Sequence, residues 1–186
     1  MKKYVTTTMI SVFFALTLAG CGGGGGGGGS VTKATTKAYL FGNMTSTSTV
    51  VTIQTTMNVP SGVLVNYSST PGATTGLCPL RKGVIVPSGP VLASSSDFNL
   101  SSYDIGSRVL TISMVNNGRV PLKSSTTANT GTGVEFATIN FTLATAGAVP
   151  ASMPLVDPAP TVGQELPGPI LSLLPGSKIN FATTYQ

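Results

Sequence analysis

Two thiols, five carboxylates and not one histidine make up the most reactive side chains of this 186-residue chain. The carboxylates are Asp97, Asp104, Glu135, Asp157 and Glu165, and they are dispersed along the sequence. Without histidine there is no Ser-His-Asp triad, no Cys-His pair and no imidazole metal ligand. A glycosidase would need two carboxylates about 5–9.5 Å apart. Five scattered acids make that a poor basis for hydrolysis. No run resembles the Asp/Asn-rich calcium loop. The expectation is a protein that is not an enzyme, with no metal and no cofactor.

The thiol with the more telling neighbours is Cys21. Lys2 and Lys3 give a positive start, Met9 to Ala19 form an apolar run, and Leu18-Ala19-Gly20 place small groups before the cysteine. A charged beginning, an apolar stretch of about 7–15 residues and a small-residue cleavage site describe a secretory signal. The run is shorter than the roughly 20 apolar residues of a membrane-spanning helix. Leu-Ala-Gly-Cys resembles the lipobox of bacterial lipoproteins, in which the cysteine thiol takes a diacylglycerol before cleavage. That resemblance implies lipidation at Cys21 and a place in the bacterial cell envelope. Gly22, where an aspartate would signal inner-membrane retention, points to the outer membrane or cell surface.

Eight glycines, Gly22 to Gly29, follow directly. Glycine samples both signs of φ, so such a run holds no fixed structure. At about 5–6 Å × √n it spans roughly 16 Å, enough to hold a folded domain off a bilayer. No Gly-Lys-Ser/Thr follows, so it is not a phosphate-binding loop. The organisation read from this is a signal peptide over 1–20, a lipidated cysteine and disordered Gly-rich tether over 21–36, and one folded domain over 37–186.

With residues 1–20 removed, 8 Lys and Arg (10 less Lys2 and Lys3) face 5 acids, a net charge of +3. Only Arg81 and Lys82 adjoin each other among these cations. Nucleic-acid readers concentrate charge into a patch, so no nucleic-acid partner is expected. Charge spread this thinly predicts binding that changes little with ionic strength. Cys78, in "TGLCPLRKG", has three readings: a small apolar residue packed between Leu77 and Leu80, a thiol activated by Arg81 and Lys82, or one half of an intermolecular pair.

The elements that carry these residues have period two. In "SRVLTISMVNN", Leu110, Ile112 and Met114 alternate with polar residues. In "GVEFATINFTLA", Ala137, Ile139, Phe141 and Leu143 share one side while Thr138, Asn140 and Thr142 share the other. Both predict half-buried strands with one wet face. "TVVTIQTTMNVP" puts Val51, Ile53 and Met57 on one side, with Pro60-Ser61-Gly62 as the turn. "KAYLFG", "GVLVNY", "KGVIVPSGPVLA" and "SKINFATTYQ" are further strands. "PILSLLP" suits one helical turn, and Val149 to Pro169 read as an extended or loop segment. Short strands at about 8–12-residue intervals with no helical alternation predict an all-β sandwich or barrel.

The succession of "NVPSGVLV", "RVLTISMVN" and "GVEFATINFTLA" resembles the motif order of cohesin-like domains and related carbohydrate-binding modules. Gly133, Ala137, Ile139, Phe141 and Leu143 match their C-terminal strand pattern. The resemblance implies a jelly-roll β-sandwich of about nine strands that binds a polysaccharide or a dockerin-like or other envelope protein. Sugar faces use aromatic rings. With tryptophan absent, the candidates are Tyr39, Tyr67, Tyr103 and Tyr185, and Phe141 and Phe181 read as core.

The function expected from the sequence is therefore a non-catalytic, lipid-anchored binding module; the alternative is a structural or assembly lipoprotein with no carbohydrate ligand. The anchor is the part that cell fractionation tests at once. Cys21→Ser should remove the acyl chains and leave the chain unprocessed or soluble, whereas normal cleavage with full membrane retention would refute lipidation at this cysteine.

Overall fold

The computed structural model describes residues 31–42, 49–69, 74–89, 97–117, 133–147, 150, 153, 156–157, 159–166 and 170–186. Cys21, the glycine run and the signal-like start lie outside them. The described residues form twelve strands: β1 (Lys33–Phe41), β2 (Thr49–Asn58), β3 (Val63–Leu64), β4 (Leu77–Pro79), β5 (Ile85–Pro87), β6 (Ser102–Asp104), β7 (Val109–Val115), β8 (Val134–Leu143), β9 (Val156–Asp157), β10 (Thr161–Leu166), β11 (Ile170–Leu173) and β12 (Lys178–Tyr185). They build two antiparallel sheets. One runs β3-β8-β1-β12-β9, with β5 also paired to β8; the other runs β11-β10-β2-β7-β6-β4.

Inner faces of both sheets contribute to one cluster of buried side chains, so the architecture is the all-β sandwich expected from the alternation. Leu110, Ile112 and Met114 of β7 are buried, as are Ala137, Ile139, Phe141 and Leu143 of β8. Each large side chain removed from water contributes about 1.5–3 kcal/mol. Strand β1 is the centre of its sheet and turns small groups inward. Ala34 lies between Phe141 and Tyr185, and Ala38 between Ala137 and Phe181. Small residues beside bulky ones let the layer fill without voids. Between them, Thr36 is fully buried, and its hydroxyl pairs with that of Thr183 at 2.8 Å.

Two one-residue irregularities keep the phase of the alternation. Between Ala38 and Tyr39 the register against β8 jumps from Ala137 to Glu135, leaving Phe136 as the extra residue. Phe136 and Ala137 are both buried in consequence. Strict alternation from Thr138 would have put Phe136 in water and Glu135 in the core; the bulge reverses both. The second lies opposite Gly163 and Gln164, where β2 carries the extra residue Val51. Val50, rather than the expected Val51, therefore joins Ile53 and Met57 inside, and Val51 is half-buried.

The structure corrects four further expectations. The strands number twelve among the described residues rather than about nine. The first begins at Lys33, ahead of the boundary placed at Lys37, because the Thr32 and Lys33 amides donate to the Gln186 carbonyl and Lys33 pairs with Thr142. Within Val149 to Pro169, Thr161–Leu166 is a full strand that covers the edge of β2. "PILSLLP" holds strand β11 rather than a helical turn; it is too short for a stable helix, and β10 offers its residues a ladder.

Just ahead of the first residue of β10, which pairs with Gln54, a side chain takes over the edge of β2. Asp157 Oδ2 accepts from the buried Thr55 hydroxyl at 2.7 Å and from the Thr56 amide at 3.1 Å, linking the β9 edge of one sheet to the other. At the β6–β7 turn, Asp104 Oδ1 accepts from the Gly106 and Ser107 amides. The Ser107 amide first, then its hydroxyl, hold the Asp104 carboxyl below its ordinary value. That contribution to stability is present above the unfolded value and lost as pH falls through the folded one.

The same turn ends on Arg108 at φ +56, a left-handed conformation that costs a side-chain-bearing residue about 1–2 kcal/mol. Its guanidinium donates to the carbonyls of Val59, Pro60 and Val63 at 3.0, 2.6 and 2.8 Å, and its own carbonyl accepts from the Val59 amide. Those groups frame the Pro60-Ser61-Gly62 turn, so one side chain ties the β2–β3 connection to the β6–β7 connection. Arg108→Ala should lower unfolding stability by about 2–4 kcal/mol in a denaturant titration. Arg108→Gly should lose about 1 kcal/mol less, since glycine relieves the backbone strain. Equal losses would show that the backbone conformation is not strained.

Candidate functional site

The four candidate tyrosines do not form a sugar platform. Tyr103 is a core residue at 3 % exposure, which removes it as a contact residue. It packs against Tyr67 with ring centroids 5.3 Å apart at 34°, and burial pushes its hydroxyl pKa up. Tyr67 is half-buried, and Tyr185 stands opposite Ala34 on the inward side; both pack against the core. Only Tyr39 lies on the outer side of its sheet, between Asn180 and Glu135. Within β1 the inward Ala38 and Leu40 leave Tyr39 facing outward; Tyr103 sits in a three-residue strand too short to show a phase.

Cys78 is buried at 6 % exposure, with Sγ 4.0 Å from the Gly76 carbonyl. Leu77, expected to pack beside it, is 72 % exposed on the opposite side of β4, while Leu80 packs against the core. Arg81 does not turn to the thiol: its Nε donates to the Tyr67 carbonyl at 3.1 Å. The bland reading of Cys78 as a small apolar residue is the one its surroundings match.

What the fold does assemble is a polar sheet face. Across β12, β1 and β8 the register sets outward residues in rows: Thr184–Thr35–Asn140, Ala182–Lys37–Thr138 and Asn180–Tyr39–Glu135, with Lys33 beside Thr142. At the usual spacings this is about 20 Å along β1 and about 10 Å across. The bulge at Phe136 brings Glu135 outward, where its Oε2 stands 3.0 Å from Lys37 Nζ, the only ion pair among the described residues. The hydrogen bond from Lys37 to Glu135, with the charge of that carboxylate, raises the ammonium pKa. The pair is exposed, so it orients side chains more than it stabilises the fold.

One groove borders this face, and a second lies beyond the Arg81–Val84 turn, whose Lys82 and Gly83 line both. The Val84 amide donates to the Arg81 carbonyl, and Gly83, third in the turn, has φ +89, a value that suits glycine. Asn140 fixes the turn to the sheet through Nδ2, which donates to the Gly83 carbonyl at 2.9 Å. On one side lies a groove of about 270 Å³ over the ends of β1 and β8, which includes Lys33, Asn66, Lys82 and Asn140. On the other lies a larger one of about 700 Å³, between β5 and the Asp97–Ser101 turn, lined among others by Arg81, Lys82, Phe98 and Asn117. Asp97 bridges to Val115 at the edge of β7 and accepts from both the backbone and side-chain amides of Asn99. Its carboxylate is thereby committed to shaping the turn.

The outer face of the other sheet is polar too, carrying Thr52, Gln54, Thr56 and Asn58 of β2, but neither of the two grooves is lined by it. No group of three or more His, Cys, Asp or Glu residues suited to a metal converges among the described residues. Sequence alternation found Thr138, Asn140 and Thr142. It missed Lys33, Thr35, Asn66 and Lys82, which only the pairing of distant strands and a turn bring to the same place. No family model, curated protein or solved structure matches the chain.

Proposed function

We propose that this protein is a non-catalytic, lipid-anchored binding module of the bacterial envelope that recognises a polysaccharide. The observation that carries this reading is the face of β12, β1 and β8 with its bordering groove: hydroxyls and amides in fixed rows, continuous with an open cleft. Threonine and asparagine both donate and accept. They match the hydroxyl-rich surface of a sugar polymer, and rows held in a sheet lose little freedom when they bind.

A protein partner is the less well supported alternative. Protein interfaces centre on aromatic and apolar anchors. On this face Tyr39 is the one tyrosine; the exposed Leu64 of β3, opposite Thr142, and Val86 of β5, opposite Thr138, stand at its edge, and the exposed Leu77, Leu100 and Leu173 lie elsewhere. A small metabolite would want an enclosed and mostly apolar pocket. The resemblance to cohesin-like and carbohydrate-binding modules agrees with this reading, as does the lipobox-like sequence before a glycine tether, which would present the face away from a membrane through acyl chains on Cys21.

A sedimentation assay of the full chain with insoluble cellulose, chitin, xylan and polygalacturonate tests the proposal. The protein should pellet with at least one of these polymers and release no soluble reducing sugar from any. Release of sugar, or retention by envelope proteins with no polymer binding, would contradict it.

A further inference from the structure

Folding brings together two cations that the sequence holds far apart. Lys33 opens β1 and Lys82 sits in a turn far along the chain, yet both line the smaller groove. Thr35, Asn66, Asn140 and Thr142 line it with them, and no acid does so among the described residues. The lone ion pair belongs to Lys37 and Glu135, so neither Lys33 nor Lys82 has a carboxylate partner among the described residues. An ammonium offers three donors and no acceptor. Two of them on one groove repel each other, and an anion placed between them would turn that repulsion into attraction.

We infer that this groove binds the carboxylate groups of an acidic polysaccharide, with Lys33 and Lys82 as the anion contacts and the surrounding amides and hydroxyls reading the sugar. The inference rests on the polysaccharide reading above and names its ligand class. Lys82 and Gly83 also line the larger groove, together with Arg81 and Asp97, so the two clefts meet at the turn. Carboxylates spaced along a chain of hydroxyls fit cations separated by Asn and Thr. A nucleic acid fits less well: it would need more cations along its path and exposed rings for base stacking. Tyr67, whose carbonyl holds Arg81, packs against the core and against the buried Tyr103.

Affinity electrophoresis of the full chain in gels containing polygalacturonate, its methyl ester or neutral dextran tests this, because the ester keeps the sugar and removes the charge. Polygalacturonate should retard the protein, the ester should do so far less, and the retardation should fade as salt rises to about 0.5 M. The double variant Lys33→Gln/Lys82→Gln should weaken binding about tenfold, roughly threefold per contact, with an unchanged melting temperature. Lys178→Gln, on the same sheet but outside both grooves, should bind as the parent does. Equal retardation by acid and ester would overturn the inference and leave uncharged sugar recognition standing. No retardation by any sugar polymer would overturn both. Full binding by the double variant, or an equal loss in Lys178→Gln, would place the anion contact elsewhere and overturn the groove.

Discussion

The phase of alternation along β8 is the constraint on which the rest depends. A strand covered on one face must send every apolar residue the same way, and a slip of one position exposes the whole set. The stretch Glu135-Phe136-Ala137 breaks the pattern, and the extra residue at Phe136 repairs it. Inward, that bulge seats Phe136 among the most deeply buried side chains. Outward, it delivers Glu135 to Lys37 and fixes one end of the polar face. Core and candidate site are two consequences of a single extra residue.

Strand β1 then holds the sheet together. It pairs with β8 on one side and with β12 on the other, joining segments far apart in sequence. Its inward alanines admit large neighbours, and its outward Lys33, Thr35, Lys37 and Tyr39 form the middle of the face. Side chains acting at edges do comparable work where ladders stop. Arg108 gathers three carbonyls around the β2–β3 connection, and Asp157 covers β2 beyond β10. Charged groups are scarce in this chain, and these two are committed to the backbone or to a buried hydroxyl.

The class of fold was legible because period-two alternation is a local signal, and β7 and β8 carry it over enough residues to be read. What stayed hidden depended on pairing. Val51 reads as an inward residue until the bulge against β10 is known. "PILSLLP" has no strand alternation of its own, and becomes a strand because β10 presents an edge to it. The outward row of Thr138, Asn140 and Thr142 was visible in the sequence. The groove beside it was not, since Lys33 and Lys82 meet only when the first strand and a distant turn flank β8. Tyr103 was misplaced because a short strand gives burial no periodic trace.

The proposed binding surface is the face of β12, β1 and β8 with the groove at its border. Mapping amide chemical shifts of the full chain during titration with an oligosaccharide from a polymer it retains tests that claim most directly. Shifts should concentrate at Lys33, Thr35, Asn66, Lys82, Gly83, Asn140 and Thr142, with Thr52, Gln54, Thr56 and Asn58 unmoved. Shifts gathered instead on the outer side of β2 and β7 would contradict it.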